Sequence, residues 1–355
     1  MFYLTPITAL ALSLILFPAL RILAIKARLV DKPNARKVHA NPTPLIGGMG
    51  VFLSTAIVMF GLSVWGLKTQ SLSVLIWGSS IMLLMGIVDD KVDLRASLKL
   101  GIQLLLAHLA FSQGVRLETL GGFLGIYELT YMASYFLTIV IIAGVVNAFN
   151  LMDGIDGLAA ALALVSVIVY SFLAVLTNNI ELLLLFLAIG GALPGFLYFN
   201  FSKERKIFMG DAGSLVLGFV LVVSGLMLMM SAQGTTLTKP VSIGVAAVLL
   251  APVMDALRVF RKRIKAGNSP FKADKTHIHH LVLRLGISHK RASMLISFMV
   301  IVLFFLAILS NSVLGITLTI SGLLIAFFVI TSVLEFNNKI QNWKERIWKM
   351  EEAND

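Results

Sequence analysis

Residues 131–176 read YMASYFLTIVIIAGVVNAFNLMDGIDGLAAALALVSVIVYSFLAVL. Two apolar runs, 131–149 and 157–176, flank a short polar joint. Each run is close to the ~20 residues that an α-helix needs to cross the hydrocarbon core of a bilayer. In the joint a polar side chain recurs every third residue, as Asn147, Asn150, Asp153 and Asp156, with Gly154 and Gly157 beside the acids. On an ideal α-helix a step of three drifts by about 60°, so the first and last of the four would face opposite sides. A helix end passing into a tight turn keeps them on one side, and the two glycines permit that turn. Asp156 alone also reads as an N-cap of the helix starting near Gly157. Capping does not account for four such residues, so the run as a whole is read as functional.

The rest of the chain repeats this alternation of apolar runs and polar joints. Its 355 residues are 58% hydrophobic and 13% charged, against about 45–50% and about 25% for an average soluble domain. A soluble globule of this composition has too few polar groups to cover itself. The expected fold is an all-α polytopic integral membrane protein. About eleven spans are expected, roughly at 3–25, 45–66, 72–88, 96–113, 131–149, 157–176, 181–199, 212–231, 240–262, 291–310 and 314–334. Cysteine is absent, which excludes disulfides, zinc–thiolate sites, iron–sulfur clusters and thiol nucleophiles.

With the N-terminus outside, the clusters Lys26–Lys37, Lys91–Lys99, Lys203–Lys206 and Arg258–Arg291 all fall on the cytoplasmic side. Only Lys68, Arg116 and Lys239 stay outside. This is the positive-inside pattern, and eleven spans then put the C-terminus inside. The net charge of +11 is therefore a topology signal, and no nucleic-acid partner is expected. The first segment lacks a basic n-region and is read as a retained span. Residues 1–335 are expected to form one transmembrane catalytic domain and 336–355 a cytoplasmic tail. In that tail Ile340, Trp343 and Ile347 recur at helical spacing, as a helix on the inner surface or an extension of the last span. No internal repeat of the kind that marks many transporters is present.

The acids converge on one side of this plan. Asp89, Asp90, Asp93, Asp153, Asp156, Asp211, Asp255 and Asp274 are all cytoplasmic, leaving Glu118, Glu128 and Glu181 outside. Carboxylates gathered at the bilayer edge are costly and repel one another, and a bound hard cation removes both problems. Oxygen ligands without cysteine favour Mg²⁺, or Mn²⁺ in its place, over zinc. Asp211 stands in Met209-Gly210-Asp211-Ala212-Gly213-Ser214 at the start of a span, where it is either a cap or a ligand that the glycines leave accessible. Three of the six histidines, His277, His279 and His280, follow Asp274 in one loop, after Asp255 and Arg258. Histidine and arginine beside acidic metal ligands suit a nucleoside diphosphate. Arg36, Lys37 and His39, ahead of Gly47 and Gly48, are either a further functional motif or topology determinants.

Together, RKVH…GG, GIVDD with downstream Lys99, NAFNLMDGIDGLA, FMGDAGSL and DKTHIHHL resemble the polyprenyl-phosphate N-acetylhexosamine-1-phosphate transferases, from Arg36 to about Leu285. The His277-Ile278-His279-His280 pattern is similar to the WecA/TagO-like branch rather than to MraY. The resemblance implies a UDP-N-acetylhexosamine donor, most often UDP-GlcNAc rather than UDP-MurNAc-pentapeptide. It also implies undecaprenyl phosphate as acceptor, UMP as leaving product, the inner (cytoplasmic) membrane as location, and a homodimer as one assembly found in the family. It further implies Asn150 and Asp211 as Mg²⁺ ligands. Asp89, Asp90, Asp153, Asp156, His279 and His280 are implied as catalytic groups, and Lys99, Asn147, Arg258 and His277 as substrate-binding ones. A transporter would instead bury its acids near mid-membrane at helix breaks. A CDP-alcohol phosphotransferase would follow Asp153-Gly154 with an Ala-Arg pair and paired aspartates that this chain lacks.

Overall fold

The computed structural model describes residues 2–31, 42–269 and 276–352, and the apolar runs of the sequence are helices in it. They are α1 (Leu4–Lys26), α2 (Gly47–Val64), α3 (Ser73–Val92), α4 (Ala96–Ser112), α5 (Tyr131–Met152), α6 (Leu158–Leu176), α7 (Ile180–Asn200), α8 (Gly210–Ser231), α9 (Thr238–Lys265), the short α10 (Ile278–Leu283) and α11 (His289–Glu352). Among the described residues, nine of these are long and apolar enough to cross a membrane. α11 carries two of the expected spans, because Gly315, at φ 74° and ψ 171°, breaks it into two legs. α4, the fourth expected span, has 17 residues. At 1.5 Å per residue it is about 26 Å long, slightly short of a hydrocarbon core of about 30 Å. The protein is an all-α polytopic membrane protein. Strands among the described residues are confined to two small antiparallel pairs, β1 (Val30–Asp31) with β2 (Thr43–Pro44), and β3 (Thr119–Phe123) with β4 (Ile126–Glu128). The second leg of α11 runs unbroken past residue 335, so Ile340 and Trp343 extend the last span's helix rather than starting a separate one.

α8 is the axis of the bundle. It is apolar all round, and most of its residues are buried, as a helix of that pattern requires. It packs against α2, α3, α5, α6 and α9. In lipid, helices associate through close packing of small residues rather than by escape from water. The contacts follow that rule. A Cβ on Gly48 would overlap the backbone of Gly213, one on Gly86 the backbone of Ala212, and one on Gly218 would come within 2.9 Å of Val146 Cα. These glycines draw α2, α3 and α5 onto one end of α8, the end that carries Asp211.

That end is also tied by backbone. The amides of Gly47 and Gly48 donate to the carbonyls of Phe208 and Met209 at 2.8 and 3.0 Å, and the Phe208 amide donates to Pro44 O at 2.9 Å. The first amides of α2 would otherwise lack partners. The α7–α8 connection supplies them and is held in place by doing so.

Candidate active site

Asp89 and Asp90 occupy the last turn of α3. The chain reverses at Asp93, which is left-handed at φ 54°, so α4 starts beside the end of α3. This reversal places Lys99 Nζ 2.6 Å from Asp89 Oδ2, while Asp89 Oδ1 accepts from the Leu94 amide at 2.7 Å. Asp89 is buried and fully engaged. Asp90 does something different. Its two oxygens accept from the amides of Asp211 (2.8 Å) and Ala212 (3.2 Å), so a carboxylate of α3 caps the first turn of α8. Gly210, at φ +74°, turns the chain so closely that a Cβ there would lie 2.6 Å from Asp90 Oδ2.

Asp211 therefore does not cap its own helix. It projects from the first turn of α8, with Oδ1 accepting from Asn150 Nδ2 at 2.9 Å and Oδ2 lying 3.8 Å from Lys99 Nζ. Asn150 Nδ2 also donates to Ser214 Oγ at 2.9 Å. At 38% exposure, the Asp211 side chain is far more accessible than that of Asp89 at 1%. Asp153 follows the end of α5. Burial, together with the charges of Asp211, Asp90 and Asp156, holds its carboxyl well above the usual range.

Asp156 does not cap α6 either; that position belongs to Gly157, at φ 75° with no side-chain cap. Its Oδ2 accepts from Lys206 Nζ at 2.8 Å and faces His289 Nδ1 at 3.2 Å, and its carbonyl accepts from Ser293 Oγ at 2.6 Å. Burial acts to raise this carboxyl, but the hydrogen bonds from His289 and Lys206 outweigh it and hold Asp156 below the usual range. The α5–α6 turn is thereby fastened to the α7–α8 connection and to the start of α11.

The histidine loop closes the other side. His279 is 1% exposed, and its ring fills the space a Cβ on Gly154 would take. Burial first, and then the neighbouring His280 and His277, push His279 down to about 3, so the ring is neutral at pH 7. His280 lies beside it, ring centroids 4.3 Å apart.

Residues 72–229 match the sequence profile of glycosyl transferase family 4. A probable undecaprenyl-phosphate N-acetylglucosaminyl 1-phosphate transferase of Bacillus subtilis is 34% identical over 331 residues, covering 91% of this chain and 89% of the relative. The chain belongs to glycosyl transferase family 4. An undecaprenyl-phosphate alpha-N-acetylglucosaminyl 1-phosphate transferase of Salmonella typhi is 33% identical over 283 residues, 78% of this chain and 75% of the relative. A decaprenyl-phosphate N-acetylglucosaminephosphotransferase of Mycolicibacterium smegmatis is 33% identical over 311 residues, 78% and 74%.

In this family 4 chain Asp156 is taken up by Lys206 and His289, His280 lies against His279, and the other predicted residues divide into two sets. Asp89, Asp90, Lys99, Asn150, Asp153 and Asp211 gather at one end of the bundle, with His279 reaching them through Gly154. Asn147, expected at the substrate, turns away. Its Nδ2 donates to Gln103 Oε1 and to Ala143 O, joining α5 to α4. Arg258 and His277 turn inward as well. Asp255 is fully buried and requires a cation beside it. Arg258 provides one at 2.7 Å and also binds Thr276 O at 2.7 Å and Glu335. His277 Nδ1 lies 2.8 Å from Asp255 Oδ2. Both residues therefore hold the histidine loop in place. The sequence assigns no role to Ser214, Lys206, His289 or Glu335; there Lys206 reads as part of a basic cytoplasmic loop. Arg36, Lys37, His39 and Asp274 lie outside the described residues.

Among the described residues no three His, Asp or Glu side chains form a ready-made metal cage. Mg²⁺ seldom needs one, because it is commonly bound by one or two carboxylates completed by substrate phosphates and water. Asp211, accessible and crowded by other acids, with Asn150 against it, fits that mode.

Proposed function

We propose that this family 4 protein transfers N-acetylglucosamine 1-phosphate from UDP-GlcNAc to undecaprenyl phosphate at the cytoplasmic face of the inner membrane. The observation that carries this reading is the convergence of Asp89, Asp90, Lys99, Asn150, Asp153 and Asp211 at one end of the bundle, where a lipid headgroup and a soluble nucleotide meet. Similarity over most of the chain to transferases so named supports it.

In the reaction an oxygen of the acceptor phosphate bonds to the donor phosphorus that bears the sugar. The bond from that phosphorus to the oxygen of UMP breaks, and UMP leaves with the electron pair. A phosphate monoester with second pKa near ~6 is mostly ionised at neutral pH. Proton removal is therefore not the main task; bringing two anions together is. Lys99, held by Asp89 and lying 3.8 Å from Asp211, is placed to hold phosphate oxygens. Mg²⁺ held by Asp211 and Asn150 would neutralise the donor diphosphate. Asp90 orients Asp211 through the α8 amides. Neutral His279, packed on Gly154 with His280 beside it, positions the α5–α6 turn without adding a buried charge of its own.

The test is UMP release by purified protein with undecaprenyl phosphate and Mg²⁺, using UDP-GlcNAc, UDP-GalNAc and UDP-MurNAc-pentapeptide in parallel and EDTA as control. The expected result is metal-dependent UMP from UDP-GlcNAc. The Asp211→Asn protein should remain folded and lose at least about 100-fold in rate, the scale of removing a key electrostatic group. UMP from another donor alone would replace the substrate assignment. Near wild-type turnover in Asp211→Asn would end the metal assignment.

A further inference from the structure

A cavity of about 240 Å³ lies between α2, α3, α7 and α8, away from the acidic cluster. Its walls are apolar, with Met59, Ile76, Ile189, Val216 and Val220 among them. All four wall helices are long and apolar enough to span a membrane. Toward the acidic end the cavity is shut. There Gly48 meets Gly213 and Gly86 meets Ala212 so closely that no side chain fits between the backbones. These contacts close the α2–α8 and α3–α8 seams between the cavity and Asp211. On its other side the cavity opens at Phe60 and Ile76, which are 71% and 45% exposed and belong to the lipid-facing surface.

Water is a poor occupant. A buried water needs two to four polar partners. Of the four wall hydroxyls, Ser63 and Ser79 already donate to carbonyls of their own helices, and Thr69 belongs to the α2–α3 connection. Thr55, 8% exposed, is left with an unpartnered Oγ. An empty apolar void of this size lowers stability. At ~30 Å³ per water-sized or methylene-sized group, the volume holds about eight of them, a segment of one lipid chain.

We propose that this cavity is a binding site for one acyl tail of a bilayer phospholipid, separate from the polyprenyl acceptor. Three observations choose this occupant: the mouth is continuous with the lipid-facing surface, the walls are apolar, and the glycine layer seals the cavity from the catalytic end. The bound tail fills the gap in the α2–α3–α7–α8 wall.

The test is native mass spectrometry of the detergent-purified protein, with extracted lipid identified chemically. Ala56→Trp plugs the mouth from an exposed position, and Val220→Phe fills the cavity from α8. Ile57→Trp, on the lipid-facing side beyond the cavity lining, is the control. Wild type and Ile57→Trp should each retain about one phospholipid, and both cavity variants should lose it at least tenfold. UMP release by Ala56→Trp should stay within about twofold of wild type. Absence of retained lipid in the wild type, equal retention in all variants, or a polyprenyl lipid as the retained species would overturn the proposal. Because retention is read without turnover, its failure is distinct from failure of the transferase assignment.

Discussion

Replacing Asp90 separates a structural carboxylate from a chemical one. In the structure Asp90 reaches across from α3 and accepts both the Asp211 and Ala212 amides, at 2.8 and 3.2 Å. Hydrogen bonds to a charged group contribute about 1.5–3 kcal/mol each, and loss of a helix cap costs about 0.5–2 kcal/mol. The second contact is long, so Asp90→Ala should cost about 2–4 kcal/mol in total. Asp90→Asn keeps one carbonyl oxygen as acceptor and should cost about half of that. Because the capped turn carries Asp211, activity should fall in the same order, wild type above Asn above Ala. The assay pairs thermal unfolding in detergent with UMP release on the same preparations. If Asp90→Asn unfolds like wild type yet is as inactive as Asp90→Ala, the carboxylate acts through its charge on the substrates and the capping argument fails. Unchanged unfolding of Asp90→Ala would refute it as directly.

Gly154→Ala should cost about 1–3 kcal/mol and most of the activity, because the new methyl overlaps the His279 ring, which is too buried to swing aside. Adding His279→Ala should recover the stability but not the turnover, measured by the same pair of assays. His279 has its pKa lowered to about 3 against about 6.5 when unfolded, so its neutral form favours the fold above pH 6.5. That contribution is lost as pH falls from about 6.5 toward 3, at ~1.4 kcal/mol per pH unit for one proton. His279→Asn should therefore flatten the acid limb of the stability profile, and an unchanged limb would count against the burial argument. Arg258→Lys should destabilise the histidine loop, because one ammonium cannot span Asp255, Thr276 O and Glu335. Limited proteolysis near His277 should report it, and protection equal to wild type would show that Arg258 is not the brace.

The apolar runs and the sequence spacing of the acids were legible in the sequence, because a bilayer admits few alternatives to ~20-residue helices with internally paired backbones. The grouping of the GIVDD, NAFNLMDGIDG and FMGDAG motifs was legible too, since each ends or begins a span at the same side of the plan. Side-chain direction was not. Asn147 and Asn150 are one helical turn apart, yet the first pairs with α4 and the second with Asp211. Spacing places both near the end of α5; which neighbour each meets depends on how α4 and α8 are packed around it.

The same holds for Asp89 and Asp90, adjacent in sequence and both implied as catalytic groups by the resemblance. A rotation of about 100° between neighbours on a helix sends one to Lys99 and the other to the amides of α8. The resemblance implies Arg258 and His277 as substrate-binding groups, while the pairing of both with the buried Asp255 is a property of packing. By itself, then, the sequence determined an all-α membrane bundle with acids gathered at helix ends, because hydrophobicity and length are local quantities. Only the tertiary structure decided which acids cap, which pair and which remain open, because a carboxylate's role follows from the donors that packing brings within hydrogen-bonding distance.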